Sequence, residues 1–243
     1  MSRPNPGVPH PIDAPGTDEQ SWAAWLDTLP CAGMSEVASA VIVAAHPDDE
    51  VLGVGGLISE LAAAGVRLRL IAVTDGENSH CGLVDPAVLA RRRTAETAGA
   101  LRALGAETTE VIRLGLPDSE LADREDELAA ALPQLISGFD VCLAPWEHDL
   151  HPDHEAAGRA ARRSCSRVLR YPVWMWHWAS PGDGRVPWHL AFRVPLSGPA
   201  AAGKHAAIGC FPSQTEDRSP ELGPVLSPGM LAHFTRATEV FLR

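Results

Sequence analysis

The sequence has no uninterrupted apolar stretch approaching the ~20 residues that a bilayer crossing needs, which excludes a membrane span. It does not open with a basic segment followed by an apolar run. It reads Ser2-Arg3-Pro4-Asn5-Pro6 instead, so a secretory leader is not expected and a soluble, cytoplasmic protein is. Cysteine is sparse and scattered. Cys31, Cys81, Cys142, Cys165 and Cys210 are odd in number and contain no Cys-x-x-Cys pair, which removes both a disulfide framework and a thiolate zinc site. Positive charge is short as well. With 20 Lys and Arg against 31 Asp and Glu, the formal charge of −11 repels a phosphate backbone and argues against nucleic acid as a partner. Two catalytic signatures are missing: no Gly-x-Ser-x-Gly elbow supports a serine nucleophile, and Gly53-Val54-Gly55-Gly56 has Ile58 where a dinucleotide loop needs its third glycine.

What remains is an alternation of buried-type strands and amphipathic helices. Val41-Ile42-Val43-Ala44 and Val141-Cys142-Leu143-Ala144 read as strands covered on both faces. Further strands are expected over Val66–Val73 and Glu110–Leu114. Helices are expected through Leu57, Leu61 and Ala64 to Gly65, from Asp85-Pro86 to Gly105, over Glu125–Ile136 with a kink or end near Pro133, and from an Asp153 cap through Glu155 to Arg162. Such alternation predicts a parallel sheet with right-handed crossovers. The fold class is therefore α/β, a Rossmann-like three-layer sandwich with a mostly parallel central sheet.

A chain of 243 residues suffices for one domain, placed at 17–243 behind a Pro- and Gly-rich arm over 1–16. Thr17-Asp18-Glu19-Gln20 has capping-box spacing before a short helix. Beyond residue 165 the pattern predicts a strand over Tyr171–Trp178, with Trp174, Trp176 and Trp178 on one side as core or as a sugar-stacking wall. A strand over Trp188–Val194, a short helix over Lys204–Ile208 and a closing amphipathic helix over Met230–Phe241 complete the reading.

Ala45-His46-Pro47-Asp48-Asp49-Glu50 follows directly on the first buried strand, at the end where open α/β sheets bind ligands. Taken alone, Asp49 or Glu50 could simply cap the next helix. A second cluster, Trp146-Glu147-His148-Asp149-Leu150-His151-Pro152-Asp153-His154, leaves another buried strand in the same way. Two His/Asp clusters on two strand ends can face one ion.

With these two stretches the chain resembles the PIG-L/LmbE family of zinc-dependent N-deacetylases, which remove acetyl groups from N-acetylglucosamine-type glycosides and related amides. Thr74-Asp75-Gly76-Glu77, Arg93 with Glu96, Leu116-Pro117-Asp118, Lys204 and Ser213-Gln214 extend the resemblance along most of the chain. The resemblance implies His46, Asp49 and His154 as metal ligands, for Zn2+ or alternatively Fe2+, with one position left for water. Asp48, whose side chain diverges from that of Asp49, is then free to serve as general base. His151 would donate to the tetrahedral oxyanion and help the amine leave, with Asp153 holding its ring. Arg93 would contact substrate or support the site. Glu50 would fix the loop, and His148 would stand beside the ion without ligating it. His10, His80, His177, His189, His205 and His233 lack any motif and are expected to be surface or satisfied residues.

The expected partner is a small N-acetylated sugar. A homo-oligomer is compatible with the sequence. The substrate's aglycone is not legible: thiol biosynthesis, antibiotic tailoring and lipid-linked sugar processing all fit. Hydrolysis of another amide or ester, or a non-catalytic metal-binding protein of the same fold, are the competing readings. An uncommitted base such as Asp48 speaks against the last.

Overall fold

The apolar run around Val41 forms strand β1 (Ser39–Ala44), every residue of which is buried. The computed structural model describes residues 15–34, 36–80 and 82–243, so the expected arm up to residue 14, with His10, and Cys81 lie outside the described residues. After helix α1 (Glu19–Leu26), the chain runs β1, α2 (Asp49–Ala63), β2 (Arg67–Ala72), α3 (Pro86–Ala103), β3 (Glu110–Arg113), α4 (Glu125–Ile136), β4 (Val141–Pro145), α5 (Pro152–Ser164) and β5 (Val168–Tyr171). It continues through α6 (Met175–Trp178), β6 (Ala191–Pro195), α7 (Gly198–Ile208), α8 (Pro212–Thr215), α9 (Pro228–Ala232) and β7 (Thr238–Leu242).

Among the described residues these strands form one sheet in the order β3-β2-β1-β4-β5-β7-β6. The first five are parallel, and β7 runs antiparallel to both β5 and β6. Alternation along β1 divides the core. Ala40, Ile42 and Ala44 pack with Leu57, Leu61 and Leu101 on one face, while Val41 and Val43 pack with Leu128, Leu132 and Ala157 on the other. Helices thus cover both faces, giving three layers around a mostly parallel sheet. The chain goes outward from β1 through β2 to β3, then returns to β4 on the other side of β1. The crevice between the carboxyl ends of β1 and β4 is therefore the switch point at which such sheets bind ligands.

Several expectations need correction. Asp18, not Thr17, caps α1: its side chain accepts from the Gln20 N–H, and Thr17 Oγ1 bonds the Ala179 carbonyl instead. Tyr171–Trp178 is not one strand. β5 stops at Tyr171 and the chain turns into α6, so Trp176 is buried, Trp174 reaches the cavity, and Trp178 stacks near Trp146. Residues 188–190 form a single tight turn, leaving only Ala191–Pro195 as strand. The Lys204 helix is longer than expected, starting at Gly198 behind a Ser197 cap. The closing helix over Met230–Phe241 is replaced by the short α9 and by β7, in which Val240, Phe241 and Leu242 are all buried and Phe241 stacks on Phe192 of the neighbouring strand. Helix α4, by contrast, keeps its expected bounds and ends one turn after Pro133.

Helix α2 starts at Asp49 and is broken at Val54, whose φ of −140° and ψ of 16° are not helical. Lys204, the only lysine in the sequence, is 3% exposed and sits at this break. Its Nζ donates to the Leu52 carbonyl (2.8 Å) and to Glu239 Oε1 (2.7 Å). Glu239 in turn accepts from the Gly56 and Leu57 N–H groups at 2.7 and 2.9 Å. The buried pair therefore satisfies the end of one helical piece and the start of the next, where an unpaired backbone group would be costly.

Candidate metal centre

Three loops, after β1, β3 and β4, approach the cavity with backbone that L residues rarely adopt. Asp48 (φ 118°), Ser119 (φ 70°) and Leu150 (φ 63°) are the positive-φ non-glycine residues among those described, and all three lie in or beside the site. Such conformations persist only where the surroundings over-determine them. Here they do. Asp48 N–H donates to Glu50 Oε2 (3.1 Å), Ser119 N–H donates to Asp153 Oδ2 (2.8 Å), and Leu150 N–H reaches Glu155 Oε1 (3.3 Å).

Three donor atoms converge between β1 and β4. His46 Nδ1 lies 3.3 Å from His154 Nε2 and 3.5 Å from Asp49 Oδ2, and His154 Nε2 lies 3.2 Å from Asp49 Oδ1. The opposite ring nitrogens decide the tautomers. His46 Nε2 faces Asp153 Oδ2 at 3.1 Å and Asp118 Oδ1 at 3.2 Å, while His154 Nδ1 faces Asp149 Oδ2 at 2.8 Å. Carboxylates need those nitrogens to carry protons, which leaves the His46 Nδ1 and His154 Nε2 lone pairs pointing at each other and at a third carboxylate. A cation relieves that mutual repulsion. Tetrahedral donors around an ion with bonds of about 2.0–2.1 Å stand roughly 3.3 Å apart, so the donor set and its spacing fit a zinc-sized ion. One nitrogen of His151 also lies within 4.8 Å of donors on His46 and His154.

Without an ion these groups trade charge. Against the cost of burial, the carboxylates of Asp49 and Asp149 push His154 up to about 9, and those of Asp118, Asp153 and Asp49 hold His46 well above its ordinary value. Asp49 is held well below the usual carboxylate range by His154 and His46 despite its burial. Asp118, likewise buried, is drawn down to about 2 by His46. Burial pushes Asp48 up to about 7, with Arg93 pulling the other way. Burial, reinforced by His154 and His46, holds His151 well below the ordinary imidazole value.

Of the residues expected from sequence, His46, Asp48, Asp49, Arg93, His151 and His154 line one cavity of about 160 Å³. Asp153 does not hold the His151 ring. Its carboxylate faces His46 and accepts from the Ser119 and Leu121 N–H groups, and His151 Nδ1 is buried without a hydrogen-bond partner. Nor does Asp153 cap α5, because its side chain is turned across to the loop after β3. Arg93, 2% exposed, donates to the Pro47 carbonyl (2.5 Å), the Gly76 carbonyl (2.9 Å) and Asp48 Oδ2 (3.2 Å). It builds the loop around Asp48. Gly76, at φ +64°, is required here, since a Cβ would come within 1.9 Å of the guanidinium. His148 is exposed and packs on Trp146, away from the cavity. His80, by contrast, is buried against Ser79 Oγ.

Two residues gain a role that the sequence reading did not give them. Asp149 orients His154 and accepts from the Val173, Trp174 and Met175 N–H groups, tying the β4 loop to the chain after β5. Asp118 orients His46. The sequence signal for each was its place inside a quoted stretch, Asp118 in Leu116-Pro117-Asp118 and Asp149 in the cluster over 146–154.

The model of a family described as PIG-L, GlcNAc-PI de-N-acetylase, matches residues 41–165, just over half of the 243. The chain belongs to the PIG-L family. The matched block carries every donor named above, whereas Trp174, Lys204 and Gln214 lie beyond it. Among PIG-L-like relatives, the uncharacterized deacetylase YaiS of Escherichia coli is 26% identical over 59% of this chain and 76% of that protein. The diacetylchitobiose deacetylase of Thermococcus kodakarensis is 29% identical over 51% of this chain and 48% of its own length. A 1D-myo-inositol 2-acetamido-2-deoxy-alpha-D-glucopyranoside deacetylase of Catenulispora acidiphila is 31% identical over 54% and 52%. The chain thus spans about half the length of the last two. Of solved structures, the conserved protein TT1542 of Thermus thermophilus superimposes with a TM-score of 0.59 at 26% identity, over 84% of this chain and 93% of that one. The N,N'-diacetylchitobiose deacetylase of Pyrococcus horikoshii, at 20% identity and a TM-score of 0.55 over 82% of each chain, shares the fold. No helix among the described residues is long and apolar enough to cross a membrane.

Proposed function

We propose that this PIG-L family chain is a metal-dependent hydrolase that removes an N-acetyl group from an amino sugar in a small glycoside. The carrying observation is the set of three facing donors, His46 Nδ1, His154 Nε2 and Asp49, 3.2–3.5 Å apart beside Asp48. The relatives' names, deacetylases of diacetylchitobiose and of a 2-acetamido glucoside of inositol, support the substrate class. His46, Asp49 and His154 would hold the ion. Two imidazoles and one carboxylate suit Zn2+, and Fe2+ is the alternative such a donor set accepts. When bound, the ion supplies Lewis acidity, polarising the acyl carbonyl and acidifying water beside it.

The chain's own groups then divide the work. Arg93 holds Asp48 Oδ2, and Oδ1, without a hydrogen-bond partner among the described residues, takes the proton of the attacking water. His151, kept neutral by burial, offers a ring N–H to the developing oxyanion, an interaction often worth about 3 kcal/mol. With burial holding His151 below the ordinary imidazole value, delivery of a proton to the departing nitrogen, first expected of His151, is assigned to Asp48. Asp118, Asp153 and Asp149 keep the two ligand imidazoles in their tautomers. The test is acetate release from simple N-acetylglucosamine glycosides by the chelated protein and after adding back Zn2+ or Fe2+. Release only with metal is expected. Release in chelator would remove the metal from the scheme, and silence on every such glycoside with metal would remove the substrate class.

A further inference from the structure

The cavity has a polar wall that the scheme above leaves unused, made by Ser79 after β2 and by Gln214 on α8. Gln214 is 1% exposed, so the direction of its amide is set by what it bonds. Those bonds start from Glu96. Its Oε1 accepts from the Ser213 N–H at 3.0 Å and from Arg92 Nε at 3.1 Å, and its Oε2 accepts the Ser213 hydroxyl at 2.5 Å. Ser213 has then committed its one hydroxyl proton to a carboxylate, and its Oγ can act toward a further neighbour only as acceptor. Gln214 Nε2 meets it at 2.9 Å and directs its other hydrogen toward Ser79 Oγ at 3.4 Å. The reversed amide would set oxygen against an oxygen with no proton to give, so the orientation is fixed by the network. Both amide hydrogens are spent within the protein. Oε1 accepts no hydrogen bond from the described residues and is the polar atom left for the cavity.

An oriented acceptor selects a donor. Resting on the proposed N-deacetylation, we infer that Gln214 is a substrate-binding residue whose Oε1 accepts the N–H of the scissile secondary amide, making the site select N-acyl amides over O-acyl esters of the same sugar. In a planar trans amide the N–H points away from the carbonyl oxygen. A carbonyl turned to the imidazole cluster therefore presents its N–H to another part of the lining. The cavity, about 160 Å³, has room for the acyl group and the atoms next to it, and the N–H is the donor that every N-acyl substrate carries at the scissile bond. An ester brings none, and a buried acceptor left unpaired in the complex penalises it.

The experiment compares kcat/KM of the metal-loaded full chain on an N-acetylglucosaminide and on the matching 2-O-acetyl glucoside. Gln214→Leu should lower the amide value about tenfold to a hundredfold, the range expected for removing one buried hydrogen bond, and leave the ester value within about threefold. Ser213→Ala, which frees the amide to rotate, should shift the ratio in the same direction by less. Equal loss on both substrates, or no loss on either, overturns the assignment. Circular dichroism checks folding; if Gln214→Leu fails to fold, Ser213→Ala decides by the same ratio. Wild-type protein that cleaves neither substrate overturns the deacetylation reading along with the proposal. Cleavage of both with an unchanged ratio in the variants overturns the proposal alone.

Discussion

In the parallel part of the sheet, from β1 to α5, the polar groups of the cavity leave directly from strand ends, so His46, Asp48, Asp49 and His154 need only their own strand and a few neighbouring carboxylates to be placed. From β5 onward the cavity is walled by Trp174, Gln214 and Leu226, which sit on short helices and turns held by distant partners: Asp149 for the Trp174 backbone, Glu96 for Ser213, Gln214 for Leu226. The first part holds the proposed reactive groups. The second shapes what reaches them. The family model, ending at residue 165, covers the first and not the second.

That division can be broken where it is strongest. His154→Ala should abolish both bound metal and acetate release, read by metal analysis and an acetate assay, whereas Asp48→Asn should keep the metal and lower kcat by about 10²–10⁴-fold, the usual worth of a general base. Undiminished turnover in Asp48→Asn would move the base elsewhere.

Across the boundary between the two parts, Lys204→Met strands Glu239 as a buried, half-paired charge, which should cost about 3–5 kcal/mol in denaturant unfolding. The double change Lys204→Met with Glu239→Gln should recover part of that loss. A cost equal to the sum of the singles would mean that the two do not act as one staple.

Within the second part, Trp174→Ala should raise KM by roughly threefold to tenfold with kcat nearly retained, since its ring lies beside His151 at a centroid distance of 6.5 Å and contributes contact rather than chemistry. A fall in kcat alone would instead assign Trp174 to orienting His151.

The smallest effect belongs to α1. Although partly buried, Glu19 is held below its usual range by Arg236 and His233. Its contribution to stability is thus present above the ordinary carboxylate pKa and lost as pH falls through the lowered value. Glu19→Gln should remove less than about 1 kcal/mol near neutral pH, and the difference should vanish as pH falls through the lowered value, read by thermal unfolding across an acid titration.

The strand ends were legible because residues 41–44 and 141–144 are wholly apolar and give way within a few residues to His and Asp, a pattern that burial on both faces imposes locally. Helix α3 was legible from Asp85-Pro86, whose cap bonds to the Ala87 and Val88 N–H groups lie within three residues. The chain after β5 was not. Trp174, Trp176 and Trp178 alternate as a strand would, yet Asp149 accepts the N–H groups of 173, 174 and 175 and bends that segment into α6. Residues 230–241 have helical spacing, yet the open edge beside β5 and the Phe192 ring take Thr238–Leu242 as a strand. In both cases a partner far away in sequence overrode the local preference.

Sequence by itself determined that two His/Asp loops follow buried strands and that charge and cysteine usage leave room for a metal held by imidazole and carboxylate. Tertiary structure alone decided which carboxylate serves which imidazole. Asp153 is the second residue of α5, two from His151, but its oxygens turn to His46 and to the backbone after β3, and Asp149 takes His154. A side chain's hydrogen-bond partner is chosen by distance in space, and the register of β1 against β4 sets that distance here.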